Sequence, residues 1–470
     1  MFIFRYIIVF IAAATILLLT GCAYATDPMA SGEYSSSDFT RAGKCQQCHA
    51  IVHSQWDGTM HSNAYTDPFY QKEFHAASTD TDGLVDEFCS RCHIPIGVLS
   101  GEIPPADGSH LSEIAHMGVQ CDFCHTVSGS SGIGDASFIV TPGNTKWGPF
   151  DDSKSASHAS EYLELHTRSE FCGMCHQVTH PVNGLVIDDT YSTWNESYYG
   201  QNDVTCQHCH MSPGVTEFKA NPGRSASNSP KREHVSLHST VGGNAFVTGM
   251  LGAEKERKLA IERLQKAATL RLDVPRTAIK GEEVTIEIAI TNSGAGHMLP
   301  TGVSEIRQMW LEVEVTDNQG QMIYRTTKAD TSLSTGPSVM YNTVLGDSEG
   351  NATLSFWLAE KVIADNRIAP RETVSEQHTF TLHDNTSYPL TVDATLNYMS
   401  APQELIDHLF GEGIHEVPVI AMVKASGKIH DPEKPVDTQA QAPGFTASMA
   451  LMVLAALTIT LTIIGSYKKQ

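Results

Sequence analysis

Basic residues are scarce in this chain. Across 470 residues, 31 Lys and Arg stand against 53 Asp and Glu, a formal net charge of −22. Such a surface repels nucleic acid and selects basic partners. Cysteine is almost absent outside one repeated pattern: of 11 cysteines, only Cys22 stands apart from it. No Cys–Trp–Cys spacing occurs, so nothing specifies an immunoglobulin topology for any β region.

The other ten cysteines form five copies of Cys-x-x-Cys-His. These are Cys45–Cys48–His49, Cys89–Cys92–His93, Cys121–Cys124–His125, Cys172–Cys175–His176 and Cys206–Cys209–His210. The spacing is that of covalent haem attachment. Two thiols three residues apart reach the two vinyl groups of one porphyrin, and the next residue offers its imidazole to the iron. Zinc ribbons also pair Cys-x-x-Cys units, but tetrahedral zinc does not require a histidine after every one. Disulfides inside the motifs would close only tiny loops. The reading is therefore five c-type haems. Of the 22 histidines, seventeen remain after the five proximal ones, and eleven of these fall between His53 and His238.

Haem attachment through thioethers takes place outside the cytoplasmic membrane, and the chain begins with an export signal over residues 1–25. Arg5 supplies the charge and Tyr6 to Leu19 the apolar stretch. Two cleavage sites compete: a lipobox ending in Cys22, which would be lipidated, and Ala23-Tyr24-Ala25. At the other end, Phe445 to Ile464 is apolar and uncharged, followed by Lys468 and Lys469, after a polar linker over 430–442. It reads as a membrane anchor. Pro443-Gly444-Phe445 with this stretch resembles the archaeal PGF carboxy-terminal sorting signal, which implies an exported body anchored at the outer face of the cytoplasmic membrane. Asn195, Asn351 and Asn385 stand in glycosylation tripeptides.

The motifs are packed at about 33 residues each, too little chain for a core of side chains alone. Residues 26–248 are expected to form a haem-packed pentahaem domain, mainly helical or irregular, with loops over Ser100–Ser109 and Ser128–Ser157. An amphipathic connecting helix is expected over 249–267. Residues 268–429 then alternate apolar and polar residues in runs beginning at Leu270, Val284, Met309, Met322, Thr353, Glu376 and Leu390. Seven such runs predict an antiparallel β-sandwich. A last helix is expected over Pro402–Leu409.

The segment Cys45 to His49, then Gln55-Trp56 and Thr59-Met60-His61, resembles multihaem cytochromes related to the tetrahaem electron carrier of ammonia oxidisers. So do Gly118 to His125, Glu170 to His176, Thr190 to Ser197 and Val204 to Met211. Gly58-Thr59 departs from the serine usual there. The resemblance covers about Lys44 to Asn244 and implies bis-histidine haems whose second ligands come from other segments. The candidates are His61, His116, His158 and His238, with His180 and His234 as competitors. His53, His166 and His208 rank lower, because each would need a local chain reversal. A fifth candidate, His297, lies in the β region in Asn292-Ser-Gly-Ala-Gly-His-Met-Leu-Pro-Thr-Gly302. Its glycines permit a tight turn and close approach to a flat group. A similar Gly-His-x-x-Pro-Thr-Gly element recurs in multihaem proteins with an added β domain.

Two functions follow. One is electron transfer between a membrane oxidoreductase and an extracellular acceptor or another cytochrome, suited by closed bis-histidine haems. The other is reduction of a small nitrogen or sulfur compound at one open haem. Pentahaem nitrite reductases typically carry Cys-x-x-Cys-Lys, which is absent here. A third role, the β region as a binding module, is compatible with the first.

Overall fold

The computed structural model describes residues 31–328 and 339–434. The export signal, Cys22 and the apolar stretch from Phe445 lie outside the described residues, as does most of the linker. Among those described, no helix is long and apolar enough to cross a membrane.

The first half is a set of short helices joined by loops. Helix α1 spans Ala50–Trp56, α2 Pro68–Asp80 and α3 Asp86–His93. The longest, α2, starts where the Asp67 side chain accepts from the Phe69 N–H at 2.8 Å and Pro68 takes the first turn. Each Cys-x-x-Cys-His adopts one helical turn. The His49, His125 and His176 amides donate to the Cys45, Cys121 and Cys172 carbonyls at 2.9 to 3.0 Å. The second and fifth motifs lie within α3 and within Cys206–His210. A helical turn stacks residues i and i+4, so thiol and imidazole share one face.

Loops do prevail over 128–157, but short ladders run through them. Val127–Ser130 pairs antiparallel with Phe138–Val140, and Thr145–Gly148 pairs parallel with Ala159–Tyr162. The connector is two helices, Ala245–Met250 and Glu254–Gln265, instead of one. Gly252, at φ +68°, breaks the run between them.

The second half is sheet. We label β1 Ala268–Asp273, β2 Glu283–Asn292, β3 Gln308–Thr316, β4 Met322–Thr326, β5 Thr343–Gly346, β6 Lys361–Asp365, β7 Thr373–Thr381, β8 Leu390–Met399 and β9 Ile420–Ile429. One sheet runs β4-β3-β8-β9, with Met340–Tyr341 also on β3. A second runs β7-β2-β1, and a third joins Ala352–Thr353, β5 and β6. Every pairing among these strands is antiparallel. Alternation places Val284, Ile286, Ile288 and Ile290 of β2 inside, with Met309, Leu311, Val313 and Val315 of β3 and Leu390, Val392, Ala394 and Leu396 of β8. All belong to one apolar cluster shared by the first two sheets.

The run from Thr353 to Trp357 is an exception. Its strand ends at Thr353 and Phe356–Leu358 form a 3₁₀ turn. Trp357 leaves the sheet region to pack against Ala77 and Val85, and its indole donates to Asp80 at 2.9 Å. The apolar residues there serve contact between the two halves. His180 and Asn183 bond the Trp357 and Ala359 carbonyls at 3.0 and 2.7 Å. Arg367 makes a two-pronged pair with Asp189, both contacts 2.7 Å, while also holding Asp365.

Candidate haem-binding cavity

One continuous cavity of ≈ 1360 Å³ runs through the first half. All ten motif cysteines and all five motif histidines line it. The far wall includes Thr301, Gly302, Ile306, Arg307 and His297 from the sheet region.

The walls suit covalently attached porphyrins. The ten thiols are free, and among the described residues no group of three or more Cys, His, Asp or Glu converges as a metal-ion site. Zinc requires thiolates. Burial pushes the Cys89 and Cys124 thiols up to about 12, so these two sulfurs are held uncharged.

Six of the histidines are held in the tautomer that iron requires. Nδ1 of His49, His93 and His125 lies 2.7 to 3.0 Å from the Ser225, Ala64 and Trp147 carbonyls. Nδ1 of His158, His238 and His297 lies 2.9 to 3.1 Å from the Ala159, Ser236 and Met298 carbonyls. A carbonyl can only accept, so Nδ1 carries the proton and Nε2 keeps its lone pair. Burial also lowers the pKa of His61 and His238 to about 4, which keeps them neutral.

Three ring pairs are spaced as an iron between them would dictate. Two imidazoles bound at about 2.0 Å each leave ring centres about 6.3 Å apart. His49 and His158 stand 6.4 Å apart, His61 and His176 6.3 Å, and His210 and His297 6.3 Å. The His297 loop can reach inward because Gly294 passes directly over the Lys266 carbonyl, where a Cβ would collide.

The remaining histidines divide clearly. His125 faces two. His125 is the largest charged neighbour acting on His238, and His166 lies 5.4 Å from His125 with Nε2 buried and unbonded. His166 stands within a 3₁₀ turn, Glu164–Thr167, which supplies the local reversal that sequence reasoning counted against it. His180 bonds the Trp357 carbonyl through Nε2, and His208 and His234 accept backbone N–H bonds at Nδ1. Each of these three therefore has its Nε2 proton-bearing. His116 is exposed, rests against Tyr65 and does not line the cavity. His93 has Tyr70 lying flat against it at 3.9 Å and 5°.

Thiols of different motifs lie near one another: Cys45 beside Cys121, Cys92 beside Cys175 and Cys172 beside Cys206, with Cys124 near both Cys172 and Cys175. Sequence reasoning did not single out Tyr70, Glu73 or Glu305. Tyr70 and Glu73 sit one turn apart on α2, a helix without a motif, and no spacing marks Glu305.

Residues 44–126 match the family described as cytochrome c554 and c-prime. Among solved structures, the chain is similar to a penta-heme cytochrome c552 from Thermochromatium tepidum. The identity is 20%, covering 83% of this chain and 99% of that one, with a TM-score of 0.59. That likeness is one of fold. The CARDB domain of a Pyrococcus furiosus protein aligns over 35% of this chain and 86% of its own at 10% identity, but its TM-score of 0.18 carries no argument. No curated protein matches the chain. The family match and the shared fold support a multihaem c-type cytochrome, a class that carries electrons.

Proposed function

We propose that this chain carries five covalent c-type haems and passes electrons outside the cytoplasm, between a membrane oxidoreductase and an extracellular acceptor or partner cytochrome. The observation that carries the proposal is the single cavity onto which all ten cysteines and five histidines open, with three histidine pairs at iron-bridging spacing. The thioether positions are the ten motif cysteines. The proximal ligands are His49, His93, His125, His176 and His210. We assign His158 opposite His49, His61 opposite His176, His297 opposite His210 and His238 opposite His125. The haems supply one-electron chemistry, and the protein holds them close and orients them. Residues 26–248 are then the pentahaem domain, and residues 268–429 a β-sandwich whose loop donates His297. Proximity of the thiols supports an order with motif one next to three, three next to four, and four next to both two and five.

Intact mass of the exported protein tests the count. Five haems added to the polypeptide is the expected result, and four or fewer with a free Cys-x-x-Cys-His refutes it.

His93 favours a second reading. Among the described residues, no histidine ring stands opposite it at the spacing of the other pairs, and the cavity beside it is lined by Tyr70, Glu73 and Phe74. An open iron there would permit reduction of a small nitrogen or sulfur compound. Titration of the reduced protein with carbon monoxide, nitrite and hydroxylamine decides between them: no spectral response supports a pure carrier, and a one-haem response supports the reductase.

A further inference from the structure

Glu305 is the most unusual ionisable group outside the haem ligands. It lies in the segment between the His297 loop and β3, and only 2% of it is exposed. Both carboxyl oxygens are buried without a hydrogen-bond partner. A carboxylate so placed loses its hydration and regains only part of that through Arg307, whereas a protonated carboxyl loses far less.

Its surroundings give it two sides. On one side is a small void of ≈ 110 Å³, bounded by Glu305, Asn342, Thr343, Val344, Ala352, Thr353 and Leu354. Ala352 and Leu354 are exposed, so this void lies at the surface. A water needs about 10–15 Å³ of such space and two or more polar partners. The void has room for several, and Asn342, Thr343 and Thr353 supply the partners.

On the other side is the haem cavity. The flanking residues Thr301, Gly302, Val303, Ile306 and Arg307 line it, and so do Glu73 and Asp188, the two carboxyls that face Glu305. Glu73 sits one turn beyond Tyr70 on α2, and the Tyr70 ring lies flat on His93. The charged groups facing Glu305 are therefore Glu73 from α2, Asp188 from Val186–Asp188 and Arg307 from its own segment. Arg307 is the sole cation among them and also faces Asp67; its guanidinium bonds the Ser400 carbonyl at 2.6 Å and Asn244 at 3.3 Å.

We propose that Glu305 is a proton-exchange site that couples protonation to reduction of the haem held by Cys89, Cys92 and His93. This rests on the haem assignment above. Cys89, Cys92 and His93 would hold the haem, which would accept one electron from a reduced neighbouring haem. One proton passes from solvent water through the outer void to the Glu305 carboxylate. The cavity then gains no net charge, which is what a buried, low-dielectric site favours. Glu73 is the next carboxyl toward the haem. Burial raises Glu305 to about 8 and Glu73 to about 7, so both exchange protons near neutrality instead of staying ionised.

Spectropotentiometric titration of the five-haem protein between about pH 6 and pH 9 is the test. In the wild type, one haem should shift its midpoint by up to tenfold in redox equilibrium per pH unit, about 59 mV for one electron, in a window near pH 8. In Glu305→Gln that haem should lose this slope, with the absorption spectra of all five unchanged. An equal slope in wild type and variant, or no slope in the wild type, overturns the proposal. Should the variant lose haem, the wild type alone decides. Its redox-difference infrared spectrum must show a protonated-carboxyl band that grows on reduction and shifts in deuterium oxide, and no such band refutes the role. A protein lacking five haems would fail earlier, by mass, and would count against the haem assignment instead.

Discussion

Single residues carry the most direct tests. Replacing His297 with Ala removes the imidazole that faces His210 at 6.3 Å. Exactly one haem, the one on Cys206 and Cys209, should become high-spin by electron paramagnetic resonance; five low-spin haems in the variant would remove His297 from the ligand set. The same measurement on His166→Ala and His238→Ala settles which serves His125, and we expect the loss in His238→Ala alone. Glu305 also leaves a mark on stability. Its carboxyl titrates at 4.5 when unperturbed and at about 8 in the fold. The folded chain therefore holds an extra proton between those values. The stabilisation is full below the lower value and is lost as pH rises through the upper one. A plot of denaturation midpoint against pH should fall from about pH 5 to pH 9 in the wild type and flatten in Glu305→Gln; parallel curves would contradict this. The motif residues were legible because covalent chemistry fixes their spacing. The opposing ligands were not, since those depend on which segments the fold brings together. Tautomer did most to sort them, and a sequence does not reveal which nitrogen meets a carbonyl.

Among the elements, strands with branched residues at every second position could be read directly. β2, β3 and β8 lie within two or three residues of the expected runs, because Val, Ile and Leu alternate along one face. β9 escaped notice. Its packed positions include small residues, and Gly427 runs so close to β1's continuation that a Cβ would meet Val274 at 2.9 Å. Close backbone approach leaves no apolar pattern. Trp357 misled in the opposite direction, because an aromatic that joins two regions looks like one inside a strand. Arg367 shows what holds those regions together. Its side chain is 5% exposed and faces two carboxylates. Arg367→Ala would leave Asp189 and Asp365 without their cation, at a cost below that of a fully buried pair, about 3–5 kcal/mol, because these carboxylates stay 24% and 34% exposed. The denaturant midpoint should drop accordingly, and a change within error would show that the sheet region is held mainly by its apolar contacts.

The molecule as a whole is an acidic body. With a net charge of −22, its encounter with a basic redox partner should be steered electrostatically. The second-order rate of electron transfer to a basic acceptor should fall steeply as ionic strength rises from about 0.01 M to 0.15 M, where the screening length shrinks from about 30 to 8 Å. A salt-independent rate would show that net charge does not steer the encounter.

The thiol contacts have a consequence for the shape of the circuit. Cys172 and Cys175 of the fourth motif lie, between them, beside the second and fifth motifs and near the third. On the proposed assignment the haems form a tree with one three-way node, and the first, second and fifth are its leaves. Removing a leaf shortens one arm and leaves the rest connected. Removing the fourth haem cuts the graph into three pieces, isolating the Glu305-linked haem from the one bound by His297. A branched circuit with a single branch point can receive electrons at one terminal and divide them between two others.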